Sequence, residues 1–243
     1  MKNNIILRDC PKQKVQIDLW AFDIGGGFRG FQNVANGIHY LSILFQEKYY
    51  GIWYFNENET IVKAFDWDKA TFYDVEETDK TTFQEMADSG VMNDKLIIYP
   101  NIAAEQWEEL SNYISIFHFQ NSQFLPIDMN ANTDKNKILG SFQLAFLKVI
   151  VQQAEDLVVE DIENWEQWVK AIYGTELSII ENQTDLFCKC IDLLILQLEL
   201  FPDIYRTRSD FVYDEAIDFI EKLEKSDDFY LSKSALELRV FME

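Results

Sequence analysis

The stretch IDLWAFDIGGGFRGFQNVANGIHY, residues 17–40, joins a glycine-dense loop to a strand-like run, and the residues beyond the loop decide the fold. Gly25, Gly27 and Gly30 satisfy the GxGxxG spacing of a dinucleotide loop, whose backbone amides cradle a pyrophosphate at a helix N-terminus. Such a loop has to open a helix. Here Phe31 to Val34, the turn dipeptide Asn36-Gly37 and then Ile38 to Phe45 are aromatic and β-branched runs, which build strands. Arg29 is the only cation near the loop, in a chain of net charge −21, a poor background for collecting a polyanion. The stretch predicts a structural turn between strands, where Gly supplies positive φ and close chain approach.

Hydrophobic residues make up 48% of the 243 and aromatics 15%, enough for one large or two ordinary cores. The acidity therefore belongs to a folded surface. Forty-two Asp and Glu against 21 Lys and Arg disfavour direct binding of nucleic acid, whose affinity comes mainly from phosphate neutralisation; a basic protein partner fits better. Three cysteines, Cys10, Cys188 and Cys190, make no disulfide framework and suggest a reducing compartment. MKNNIILRDCPKQK at the N-terminus has an apolar run of only three residues and no signal-peptide h-region. No stretch reaches the roughly 18–20 apolar residues of a membrane span. A soluble intracellular protein, cytoplasmic or nuclear, with no membrane association is expected.

The hydrophobic period changes along the chain, and with it the expected class, α+β. Up to about Phe119 the rhythm is strand-like: Val15, Ile17 and Leu19 alternate with polar residues, and Tyr49 to Phe55, the turn Asn56 to Glu59 and Thr60 to Phe65 read as a β-hairpin. Leu96 to Tyr99 is a further strand stopped by Pro100, and Thr82 to Ser89 and Ala103 to Tyr113 are helical in composition, the first ending at Gly90. Polar, Asn-rich residues 121–137 read as a linker between a β-rich domain, 1–120, and a helical domain, 138–243. Beyond it the period is 3.6: Ile138, Phe142, Ala145, Phe146, Val149 and Ile150 form one stripe. Ile162, Trp165, Val169 and Ile172 form a second, ending near Gly174, and Phe187 to Leu198 a third, stopped by Pro202. Two more helices come after it, about five in all.

Few residues invite chemistry. Asp66-Trp67-Asp68 has the form of a DxD element that holds a divalent cation, set against a strand end with solvated carboxylates. Cys188 and Cys190 point about 200° apart on a helix and cannot easily share a zinc, so they read as buried small hydrophobes. His39 and His118 are the only imidazoles, and His39, inside a strand run, reads as a hydrogen-bonded structural residue. No GxSxG, HExxH or Walker loop is present, so no catalytic or metal-ligating residue and no cofactor is assigned. Trp165, beside Val169 and Ile172, belongs to a core; Trp168, near Glu166 and Gln167, is expected to be partly exposed and is a candidate partner contact. Glu155, Asp156, Glu160, Asp161 and Glu163 gather at a helix start, where the macrodipole favours them and where they would steer a basic partner.

Read as a unit, the opening stretch resembles the Aar-two family of pre-mRNA splicing factors, also described as A-one cistron splicing factors. The resemblance rests on Ile17-Asp18-Leu19, Gly27-Phe28-Arg29-Gly30 and Gly37-Ile38-His39-Tyr40, then on Phe65 to Asp68 with Trp67, on Tyr99-Pro100, and on the helix of Trp107, Leu110 and Ile114. In the helical half it continues through Leu139-Gly140, Gln143, Ala145 and Phe146, through Trp165 to Ala171, and through Ile191 to Pro202. It implies a β-rich N-terminal domain followed by a VHS-like helical domain. It also implies a non-enzymatic assembly chaperone that holds the large core protein of the U-five small nuclear ribonucleoprotein, through RNase-H-like and Jab/MPN-like domains, and delays helicase binding. Asp18, Gly27, Phe28, Gly30, Gly37, His39, Trp67, Pro100, Trp107, Gln143 and Trp165 are its fingerprint, structural or partner-binding. Members of that family usually continue into a tail that adds a strand to the partner, whereas this sequence reaches Glu243 soon after its last helix. Two alternatives stand beside this expectation: an interaction scaffold on the same fold outside splicing, and an enzyme using carboxylates such as Asp66 and Asp68.

Overall fold

A computed structural model describes residues 3–11, 13–120, 129, 134–151, 159–201 and 210–242, the side chains of 210 and 211 excepted. By its contacts the chain divides into two compact units, Met1–Glu109 and Leu110–Glu243.

In the first unit the Ile5-Ile6-Leu7 run is the middle of a sheet. Strand β1 (Asn4–Arg8) lies at the centre of a five-stranded sheet whose order is β8-β7-β1-β4-β9. Its neighbours are β4 (Gly30–Gln32), β7 (Ile61–Asp66), β8 (Thr71–Asp74) and β9 (Leu96–Ile98). The second sheet has four strands in the order β3-β2-β5-β6: β2 (Lys14–Ile17), β3 (Trp20–Asp23), β5 (Gly37–Phe45) and β6 (Lys48–Asn56). Alternation along β1 decides the layers. Ile5 and Leu7 join Val15, Ile17, Leu41 and Ile43 of the other sheet in one core, while Ile6 meets Val62, Ala87 and Met92 under helix α1 (Glu77–Asp88). A strand buried on both faces reads as a continuous apolar run, not as an alternating one. Helix α2 (Asn101–Ser111) follows β9.

The glycine loop links β3 of one sheet to β4 of the other, a turn between strands. Of Gly25, Gly27 and Gly30, only Gly30 needs to be glycine. Its φ is +136°, and a Cβ there would lie 1.9 Å from the Ile5 carbonyl oxygen, whereas Gly25 and Gly27 have open space around them. The hairpin expected over Tyr49 to Phe65 is corrected. β6 pairs with β5, from Gly37 opposite Asn56 to Phe45 opposite Lys48, and β7 pairs with β1 and β8. Asn56 is the reason: its buried amide donates to the Val34 and Ala35 carbonyls, tying the 56–60 connection to the 34–36 segment as a crossing between sheets. The hairpin that does form turns on Gln46 and Glu47, both at positive φ (49° and 66°), without the Asn or Gly that announces such a turn.

The second unit is helical: α3 (Ile116–Gln120), α4 (Lys135–Val151), α5 (Val159–Gly174), α6 (Leu177–Glu181), α7 (Thr184–Leu200), α8 (Asp210–Leu223) and α9 (Phe229–Met242). α4 packs on α5 and α7, α5 on α8, and α9 on α7 and α8. Leu139, Gln143, Leu144 and Leu147 are buried beside the expected α4 stripe, so this helix is covered around most of its circumference. It begins at Lys135, capped by Asp134, whose Oδ1 accepts the Asn136 N–H at 3.0 Å; the last three residues of the expected linker are therefore helical. Residues 121–128 and 130–133 of that linker, with Glu155, Asp156 and Pro202, lie outside the described residues. α3 and α6, five residues each, are short helices that the periodicity does not reveal. No described helix is long and apolar enough to cross a membrane.

Candidate functional site

A buried polar cluster of the first unit is built from Asp18, His39 and Tyr99, and the register of β2 on β5 creates it. Ile17 pairs with Leu41, so the next residue, Asp18, meets Tyr40. Asp18 turns into the left-handed region (φ 54°), its N–H donates to the Tyr40 carbonyl at 2.7 Å, and its Oδ1 accepts the Tyr40 N–H at 2.9 Å. Oδ2 accepts from His39 Nδ1 at 2.8 Å and from the Tyr99 hydroxyl at 2.5 Å. His39 Nε2 lies 2.9 Å from the Ala35 carbonyl, which can only accept, so that nitrogen carries a proton. Both ring nitrogens thus face oxygen acceptors. Burial opposes charge on the imidazole, but the charge and hydrogen bond of Asp18, with the Ala35 carbonyl, outweigh it and raise the His39 pKa above 6.5.

Aromatic rings close the cluster. The His39 ring stacks on Tyr54 (centroids 5.3 Å) and on Trp107 (6.3 Å), and Trp107 Nε1–H donates to the Ile38 carbonyl at 2.6 Å, fastening α2 to β5. Burial, then the Asp18 charge, pushes both the Tyr99 and the Tyr54 hydroxyl pKa up. Although Asp, His and Tyr suit general acid and base work, Asp18 and His39 have no exposed surface on which a substrate could land. The cluster locks the two sheets and α2 together.

The remaining fingerprint residues fall elsewhere. Phe28 packs edge-on against Phe31 (5.4 Å), Gly27 is open, and Gly37 starts β5 at φ +119°. The Pro100 carbonyl accepts the Ala104 N–H at the start of α2. The cavity beside the glycine loop holds about 10 Å³, too little for a pyrophosphate. In the second unit Gln143 is a joint: its Oε1 accepts the Tyr113 N–H and its Nε2 donates to Asn112 Oδ1, both at 2.9 Å. Gly140, one turn earlier, lets the Tyr113 carbonyl and the His118 ring close in, since a Cβ would meet them at 2.4 and 2.5 Å. His118 accepts the Ser115 N–H at Nδ1 (3.0 Å) and bonds the Lys137 carbonyl through Nε2 (3.2 Å); burial lowers its pKa. Trp165 Nε1–H donates to Gln197 Oε1 at 2.8 Å, tying α5 to α7.

Trp168 corrects an expectation. Only 6% exposed, it packs toward Phe142 on α4, because its helix is covered on that side as well. Trp67 is the exposed aromatic of the fingerprint, at 50%, with its ring edge-on to Phe45 and Phe65. It borders an open cleft of about 660 Å³ with Asp9, Cys10, Arg29, Asp66 and Asp68. There Asp66 is occupied: Oδ1 accepts the backbone N–H groups of Asp68 and Lys69, each at 3.0 Å, and Oδ2 pairs with Lys69. Those bonds, the Lys69 N–H first, hold its carboxyl below the usual range, the state of a turn cap and not of a general acid. Cys10 beside it is pushed up to about 12 by burial, so it is no thiolate nucleophile. Among the described residues no group of three or more His, Cys, Asp or Glu side chains is placed to hold a metal. Asn56, Tyr54, Gly140 and Gln197 lie in stretches the sequence marks, but their part as joints is revealed only by partners distant in the chain.

Fold and site together define a class: a two-unit α+β protein, β-rich then helical, whose signature side chains are mostly internal joints. Residues 1–124 match the AAR2 N-terminal domain and residues 110–243 the AAR2 C-terminal repeat region. The chain belongs to the AAR2 family, whose members have a splicing-related assembly role. No curated protein matches it.

Proposed function

We propose that this protein is a non-enzymatic spliceosomal assembly factor that binds and chaperones the large core protein of the U-five small nuclear ribonucleoprotein, in the cytoplasm, the nucleus or both. Its β-rich domain would span 1–120 and its helical domain, 138–243, would be VHS-like. The observation that carries this is the match of both AAR2 regions, in order, over the whole chain. The burial of Asp18 and His39 adds support, since it leaves the surface as the working part. An acidic chain of net charge −21 suits a partner face rich in Lys and Arg.

The test is direct binding of the full chain to the purified RNase-H-like and Jab/MPN-like domains of the core protein, by surface plasmon resonance. Saturable binding with a Kd of about 1 μM or tighter, and competition with the helicase, is the expected result. No saturable binding to either domain refutes the assignment.

A further inference from the structure

Helix α9 is apolar on two opposite sides, and among the described residues only one of them is covered. Leu231, Ala235 and Leu238 are buried against α7 and α8. Phe229, Leu236 and Val240, at i, i+7 and i+11, lie about half a turn around the axis from them and are 73%, 58% and 66% exposed. A helix apolar all round is ordinarily a buried helix. Here the outer stripe borders a groove of about 760 Å³, walled by Asp192 and Ile195 of α7 and by Leu236, Glu237, Val240 and Phe241 of α9. An exposed apolar stripe of this kind marks an interaction site.

Charge says what fits there. Glu237 is paired with Lys233 at 3.4 Å, but Asp192 has no cation within ion-pair distance among the described residues. Partial burial first and then the neighbouring Glu237 raise the Asp192 pKa, and the Lys233 charge, beyond ion-pair distance, offsets only part of that. The floor is apolar through Ile195, Leu236, Val240 and Phe241 and the rim carries Asp192 and Glu237, a lining that suits an amphipathic helix laid into a groove.

We propose that the α7–α9 groove is a docking site for an amphipathic helix of a protein partner, whose apolar ridge covers Leu236 and Val240 and whose Lys or Arg pairs with Asp192. The occupant is defined by its chemistry alone, so the groove stands or falls independently of binding to the U-five core protein. The test uses the full chain as bait for a displayed library of amphipathic helical peptides with randomised flanking positions. Enrichment of Lys or Arg on the flank is expected, with affinity for the selected peptides falling about tenfold or more in Leu236→Asp, a loss of hot-spot size. Asp192→Lys should weaken the same peptides and favour their Lys→Glu counterparts. Both positions are exposed, and an unchanged melting temperature shows that the variants fold. No enrichment, peptides that bind Leu236→Asp as well as the parent, or acidic flanks each overturn the proposal. So does a dimer in sedimentation that Leu236→Asp dissolves, which makes a second copy the occupant.

Discussion

Asp18 and His39 form a buried hydrogen-bonded pair, and a buried pair is worth most when one partner is removed. His39→Ala leaves Asp18 with only Tyr99 and the Tyr40 N–H, and should cost about 3–5 kcal/mol in denaturant unfolding. Tyr54→Phe should behave differently. The Tyr54 hydroxyl is buried with no hydrogen-bond partner among the described residues, so its removal should change stability by about 1 kcal/mol or less, or raise it. The two histidines also give the protein opposite pH limbs. His39 has a folded pKa raised above 6.5, so its contribution is fully present below about pH 6.5 and is lost as the pH rises through the folded value. His118 has a lowered folded pKa, so the unfolded chain takes up the proton first and stability falls as the pH drops below about 6.5 toward that value. Melting temperature against pH in His39→Gln and His118→Gln checks this. The first variant should lack the alkaline loss and the second the acid loss; identical profiles in both would refute the pairing.

Glycine positions separate the elements whose geometry requires glycine from those whose pattern merely contains it. Gly30→Ala sets a Cβ against the Ile5 carbonyl inside the β1–β4 pair at φ +136°, and should cost at least the roughly 1–3 kcal/mol of a strained backbone residue. Gly27→Ala has open space and no positive φ, and should be neutral or stabilising by about 0.4–1 kcal/mol through the unfolded chain. Urea midpoints of the pair decide, and equal losses in both would show that the whole loop is constrained. Legibility in the amino-acid sequence divides the same way. Local signals survived: the loop between strands, the strand run Ile38 to Phe45, the switch to a 3.6 period, and the burial of Trp165. Pairings at a distance did not. β1 was too short and too uniformly apolar to show alternation, and the 56–60 connection looked like a hairpin because Asn56 bonds backbone more than 20 residues away. The polar neighbours Glu166 and Gln167 suggest partial exposure of Trp168, but a helix packed against α4 on that side covers it. Of the site, Asp18 and His39 were visible as landmarks, while Tyr99 joins them only across 81 residues.

At the scale of the whole molecule, a net charge of −21 acts before any contact is made. Such a field repels phosphate backbones, so a single-stranded RNA oligonucleotide should show no saturable binding to the full chain at physiological salt in fluorescence anisotropy. The same field attracts a basic protein face from beyond contact distance, and that attraction is screened over about 8–10 Å at physiological ionic strength. Steering governs encounter, whereas the dissociation rate depends on the desolvated contacts that form afterwards. Raising salt from about 50 to about 500 mM should therefore slow association with the core-protein domains about tenfold or more and leave dissociation nearly unchanged in stopped-flow traces. Asp192→Lys should shift mainly the dissociation rate of a peptide seated in the α7–α9 groove, because a single charge changes the far field little but sits beside the docked helix. An association rate indifferent to salt would mean that the acidic surface serves solubility and that the partner face carries no matching charge.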